Sequence, residues 1–258
     1  MGAKVNALLN VAGLSLVLAV NALANILPIN GYNTGQVSGF YPNFFVPAGF
    51  TFGIWGIIYL FLLNYCISYT YFTIKQRQFP EIIKYLDAIT PYFWVTCILN
   101  AGWILAWHYL QVGISVVIML TFLIALIQIF IIMQKQVVTI KPLYQFLIKT
   151  PFSVYLGWIS VATIANITAF LVHLKWNGFG IDPIYWTILM IAIAIVLGIY
   201  FIFYFKNIAH PLVLVWALWG IKAAQGPKSE LINQLTVVGI LVLAFLISRD
   251  IIRKILVR

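Results

Sequence analysis

Gln111-Val-Gly-Ile-Ser-Val-Val-Ile-Met-Leu-Thr-Phe-Leu-Ile-Ala-Leu-Ile-Gln-Ile-Phe-Ile-Ile-Met133 runs for 23 residues without one charged side chain. A bilayer core about 30 Å thick takes roughly 20 apolar residues at helical rise. Backbone in lipid must also satisfy its own hydrogen bonds, which a helix does. The stretch therefore reads as a membrane-spanning helix. Comparable runs recur near 5–27, 48–73, 89–109, 149–172, 184–205, 208–223 and 232–252. The expected fold is all-α, a polytopic transmembrane bundle of about eight spans. The segment 208–223 is the shortest, bounded by His210-Pro211 and Gln225-Gly226-Pro227, and a tilted or re-entrant course is its alternative.

Composition supports the same solvent. The 258 residues are 64% hydrophobic and 8% charged, with a mean hydropathy of +1.04. That leaves too little polar surface to cover a water-soluble globule of this size. Apolar runs continue to the C-terminus, so a cleaved signal peptide does not explain the first of them. Cys66 and Cys97 fall inside expected spans and read as small buried hydrophobes rather than a secreted disulfide framework.

Charge orients the bundle. With eight spans, twelve of the fifteen Lys and Arg residues, including Lys75, Arg77, Lys84, Arg253 and Arg258, share the side that holds both termini. Making 208–223 re-entrant lowers that majority to ten. The positive-inside rule therefore favours eight spans with cytoplasmic termini. The net charge of +10 is then a matter of topology and anionic lipid headgroups, and dispersed basic residues give nucleic acid no patch to bind.

The segment 28–47 carries no formal charge and is rich in Gly, Asn, Tyr and Phe. It can turn back over the bundle as a lid, or its aromatics can sit at the headgroup level. Catalytic signatures are sparse. Glu81, Asp87, Asp182, Glu230 and Asp250 are the only acids, and all fall in expected loops or helix ends, which argues against ion coupling through an intramembrane carboxylate. His108, His173 and His210 lack metal-ligand spacing and read as interfacial. No catalytic or metal-ligating residue is assigned.

What the spans offer is indole and amide at helical spacing. Asn100, Trp103 and Trp107 share one face of the third span, and Trp158, Ala162 and Asn166 share one face of the fifth. Buried amides need partners, so both faces should turn inward. With Trp55 they line a cavity for a flat apolar ligand, or they simply pack the helices together; the two readings carry equal weight at this point.

Three motifs carry a resemblance. Pro47-Ala48-Gly49-Phe50-Thr51-Phe52 is followed by Trp55 and Tyr59. Leu99-Asn100-Ala101-Gly102-Trp103 comes next, and then Pro151, Leu156, Trp158, Ala162 and Asn166. In this order the chain resembles the TspO/MBR family, the tryptophan-rich sensory and translocator proteins of peripheral benzodiazepine-receptor type. The resemblance covers about residues 1–175, with 176–258 adding three spans of unassigned role. Phe50 stands where the family usually has tryptophan, and Ile167 replaces the tyrosine of its sterol pattern, so sterol binding is not carried over.

The resemblance implies a multi-pass receptor or sensor of the prokaryotic cell membrane that binds a porphyrin or other tetrapyrrole as ligand. No cofactor is obligatory, and a homodimer is the assembly it leaves open. The positions implied are Trp55, Asn100, Trp103, Trp158, Ala162 and Asn166, to which the shared face of the third span adds Trp107 as a ligand-binding candidate, with a light-dependent porphyrin breakdown as a side activity. A transporter without ion coupling and a membrane enzyme on a lipid-like substrate are the alternatives.

Overall fold

The computed structural model describes residues 2–135 and 141–256, all of whose regular elements are helical; Arg258, counted in the charge argument, lies outside them. In chain order the helices are α1 (Ala3–Ile26), α2 (Thr34–Gly39), α3 (Ile54–Ile74), α4 (Pro80–His108), α5 (Val112–Lys135), α6 (Pro142–His173), α7 (Pro183–Phe203), α8 (Ala209–Gln225) and α9 (Glu230–Leu256). Short 3-10 turns occupy Ile29–Gly31, Gly49–Gly53, Gly178–Gly180 and Gly226–Lys228. The eight expected segments are all present as helices. Seven helical stretches are long and apolar enough to cross a membrane, and α8, the expected seventh span, stops at 17 residues.

Two helices begin well before their expected starts. Helix α4 starts at Pro80 rather than 89, and α6 at Pro142 rather than 149. Proline is well suited to a first helical turn, where its missing N–H has no partner to lose, and Glu81 complements the positive end of the α4 dipole. Helix α7 opens the same way, with Asp182 Oδ1 accepting from Ile184 N at 2.8 Å just ahead of Pro183. Two expectations change as a result. Pro151 lies inside α6 rather than at its mouth, and Asp87 lies two turns inside α4 rather than in a loop before it.

The chain divides into two compact units, residues 1–34 with 54–156, and residues 35–53 with 157–258. This packing boundary runs through α6, whereas the sequence division into 1–175 and 176–258 marks how far the motifs reach. In the first unit α1 meets α4 along a ladder of polar rungs. Asn6 donates to Asp87 at 2.7 Å, Asn10 to Thr90 at 3.3 Å and Asn21 to Asn100 at 2.7 Å. In a lipid-immersed bundle apolar side chains gain little by leaving lipid for one another, so such bonds and close packing hold helices together. Around the ladder Tyr65 sits edge-on to Phe93 and Phe152, with ring centroids 5.3 and 4.8 Å apart.

The second unit joins α7, α8, α9 and the C-terminal part of α6 around Ile191, Leu214, Leu218, Ile221 and Leu243. Residues 46–51 dock onto α8. Ala48 N donates to Gly220 O at 3.0 Å, Trp216 Nε1 to Thr51 O at 3.0 Å and Gln225 Nε2 to Val46 O at 2.8 Å. The approach is so close that a Cβ on Gly220 would fall 2.0 Å from Thr51 Oγ1. The first family-like motif thus spends its backbone and Phe50 on α8, with Phe50 packed against both Trp216 and Trp219.

Candidate functional site

The first unit gathers four of the seven expected site residues. Trp103 stacks on Trp107 with centroids 5.7 Å apart, and Trp55 lies 6.2 Å from Trp103 and stacks on Tyr59 at 5.7 Å. Tyr155 meets the edge of Trp55 and is itself met by Phe122. Asn100, fully buried, accepts from Asn21 and donates to Tyr155 Oη at 3.0 Å. Its amide therefore already has protein partners on both sides. Trp103 and Trp107 are each only 5% exposed, and the indole faces are largely taken by one another.

The end of this stack is tied off by a histidine that the sequence places at an interface and the fold buries. His108 is completely enclosed. Its Nε2 lies 3.1 Å from Thr34 Oγ1, its Nδ1 3.2 Å from Ile29 O, and its carbonyl accepts from Asn30 at 3.0 Å. Trp107 Nε1 donates to Thr34 O at 3.3 Å. Residues 28–34 of the expected lid are thus pinned to the end of α4. His210, in the second unit, is also buried rather than interfacial, stacked on Phe201 with centroids 3.7 Å apart. His173 is exposed, beside the edge of Tyr41, whose phenol burial pushes above its ordinary range.

The other three expected residues belong to the second unit. Trp158 is buried with Phe52 edge-on at 6.2 Å, Ala162 is half-buried and Asn166 is buried. None of the three lines the cavity that opens further along α6.

That cavity has a volume of about 560 Å³. Its walls are Pro42–Phe45 from the loop, Ile164, Ile167, Thr168 and Leu171 from α6, and Trp176, Trp186 and Met190 from the turn and helix that follow. Spacings of three, four and seven residues put the α6 side chains on one face. Trp176 and Trp186 lie 5.4 Å apart. The turn between them depends on Gly178, whose φ of +64° suits glycine and whose carbonyl accepts from Trp186 Nε1 at 3.2 Å.

The polar groups in the wall are occupied locally. Asn43 donates to Tyr41 O and accepts from Phe45 N, both at 2.8 Å. Asn177 accepts from Phe179 N, and Thr168 and Thr187 bond back to their own helices. Most of what faces the space is hydrocarbon and aromatic ring, suited to a flat apolar guest.

Sequence reasoning did not select these residues, because the motifs end before Trp176. The available signal was local: Trp176 and Trp186 flank Asn177-Gly178 and Asp182-Pro183, a turn followed by a helix start that brings both indoles back together.

A family model described as TSPO-like protein matches residues 7–249. The chain belongs to the TSPO-like family. The match continues through residues 176–249, so the cavity-forming part of this TSPO-like chain lies within family territory rather than beyond it. No curated protein and no solved structure matches the chain. Family membership and the seven long apolar helices make it an integral, multi-pass membrane protein of a ligand-binding or sensor class.

Proposed function

We propose that this TSPO-like protein is a membrane receptor whose ligand is a flat, largely apolar molecule, with a porphyrin or other tetrapyrrole as the first candidate, held in the second unit. The carrying observation is the cavity of about 560 Å³ beside Trp176 and Trp186. It falls in the range of about 300–1,000 Å³ typical of small-molecule sites. Indole faces stack on a conjugated macrocycle, and the mostly apolar wall asks little that is polar of the guest's ring. The expected positions Trp55, Asn100, Trp103 and Trp107 form a second reading, supported by their convergence in one connected stack. Binding there requires a ligand to part rings that already pack on each other, which makes it the costlier route.

The test is a spectral titration of purified protein with a porphyrin panel, reading the Soret band and tryptophan quenching. Ile167→Trp, which fills the cavity from α6, is expected to weaken affinity at least tenfold, about 1.4 kcal/mol, in a bundle that still folds. Unchanged affinity in a folded Ile167→Trp variant overturns the assignment of the cavity.

A further inference from the structure

Between α1 and α3 in the first unit runs an open groove of about 470 Å³. Val11 and Leu18 belong to its α1 wall, and Leu63, Ile67, Tyr71 and Ile74 to its α3 wall, all of them exposed. From Leu63 to Ile74 the α3 wall rises about 16 Å at the helical 1.5 Å per residue, close to half of a hydrocarbon core about 30 Å thick. The groove is one leaflet deep. Its polar members Thr70 and Cys66 bond to backbone, Thr70 Oγ1 donating to Cys66 O at 2.9 Å and Cys66 Sγ to Asn10 O at 3.6 Å. The space is left to hydrocarbon.

One end of the groove is basic. Helices α1 and α3 are successive spans running antiparallel, and the contact of Cys66 with Asn10 fixes their register. Lys4, six residues before Asn10, therefore comes close to the level of Phe72, and Lys75 follows just beyond. Lys4, Val11 and Leu18 recur every seven residues, so the lysine shares the α1 face that lines the groove. Lys75 is held at the α3 wall by Tyr71, its ammonium lying 4.9 Å from the ring centroid and donating to the phenol oxygen at 3.3 Å. Lys141, ahead of α6, acts electrostatically on the same phenol. Among the described residues the only ion pair joins Lys254 to Asp250, and Asp87, at the nearby α1–α4 contact, accepts from Asn6 and Tyr69 instead. Neither Lys4 nor Lys75 is paired with a carboxylate.

We propose that the α1–α3 groove is a binding site for an anionic phospholipid, with one acyl chain lying along the groove and the phosphate held between Lys4 and Lys75. A chain anchored at the headgroup level reaches one leaflet deep, as the groove does, and a headgroup of net negative charge supplies what the two lysines lack. The charge count assigns this end of the bundle to the cytoplasmic side, whose leaflet carries anionic lipid. The site is independent of the tetrapyrrole reading, because every residue it uses lies in the first unit.

The experiment is thermal unfolding of the full chain in a non-ionic detergent, titrated with phosphatidylglycerol or with phosphatidylcholine of identical acyl chains. A ligand of the folded state raises the midpoint, and phosphatidylglycerol is expected to reach half its effect at about tenfold lower mole fraction, given two lysines near the headgroup. The double variant Lys4→Gln/Lys75→Gln is expected to bring the two lipids together. Lys206→Gln/Arg253→Gln, which removes the same charge from the second unit, is expected to keep the preference. Ser15→Trp, which fills the groove from α1, is expected to weaken both lipids about tenfold and carries the test if the lysine variant does not fold. Equal response to the two lipids overturns the proposal, as does a preference lost equally in both charge variants, which makes it a property of the whole surface. Glycerol phosphate matching the lipid's effect makes the site one for a free anion and overturns it too. So does a dimer that Ser15→Trp breaks with no lipid dependence, which assigns the groove to a second copy of the chain.

Discussion

Both units of this TSPO-like protein are rich in tryptophan and amide side chains, yet they use them differently. In the first, Trp55, Trp103 and Trp107 turn their faces to one another and Asn100 finds partners on both sides. In the second, Trp176 and Trp186 converge at the edge of an open space. The residue types are the same, so composition does not separate packing from binding. What separates them is backbone. Long uninterrupted helices bring indoles at spacings of three and four residues into continuous contact. A turn through Gly178 interrupts the helices and leaves a gap that side chains do not fill.

The largest expected effect breaks this contrast on the packing side. Trp103→Ala removes the central ring of a buried stack and is expected to cost about 3–5 kcal/mol of stability. Porphyrin affinity of the surviving folded fraction should stay within roughly the threefold spread expected of site-remote changes. If chemical denaturation shows little loss of stability while affinity collapses, the stack is the binding site and the contrast fails.

Gly220→Ala comes next. Its new methyl group would meet Thr51 at contact distance far below van der Waals separation, and overpacking of this kind costs about 1–3 kcal/mol. Pairing it with Thr51→Gly, which clears the facing side chain, is expected to recover most of the loss. A double variant no better than the single would show that residues 46–51 are not seated on α8 as described.

The sequence makes the number and order of long helices legible, because hydropathy alone decides them. Their ends are less so, since hydropathy reports where lipid stops and not where a helix stops. Asp87 shows the consequence: Glu81, Lys84 and Asp87 end the apolar run, while Pro80 and Glu81 together signal a helix start that the charges conceal. Seven candidate positions were readable from motifs and periodicity, and four of them do meet in space. The cavity was not readable, because its wall combines Pro42–Phe45 with side chains more than a hundred residues away, and nothing local records that pairing. His108 was misplaced for a related reason. A histidine at a helix end looks interfacial until the chain at Ile29 and Thr34 folds back to bond it.

A smaller effect concerns chemistry. Neither aromatic centre presents a paired general acid and base, so any loss of bound porphyrin absorbance is expected to need light and oxygen. Turnover in darkness, proportional to protein, would place a catalytic group at one of the two centres and sharpen their difference into one of function.

The most direct test of where the ligand sits is photolabelling with a diazirine-bearing tetrapyrrole, followed by peptide mapping of the adducts. The account predicts adducts on the peptides carrying Pro42–Phe45, Ile164–Leu171 and Trp176–Met190. Adducts confined to the peptides carrying Trp55, Tyr59 and Asn100–Trp107, with the cavity unlabelled, would contradict it.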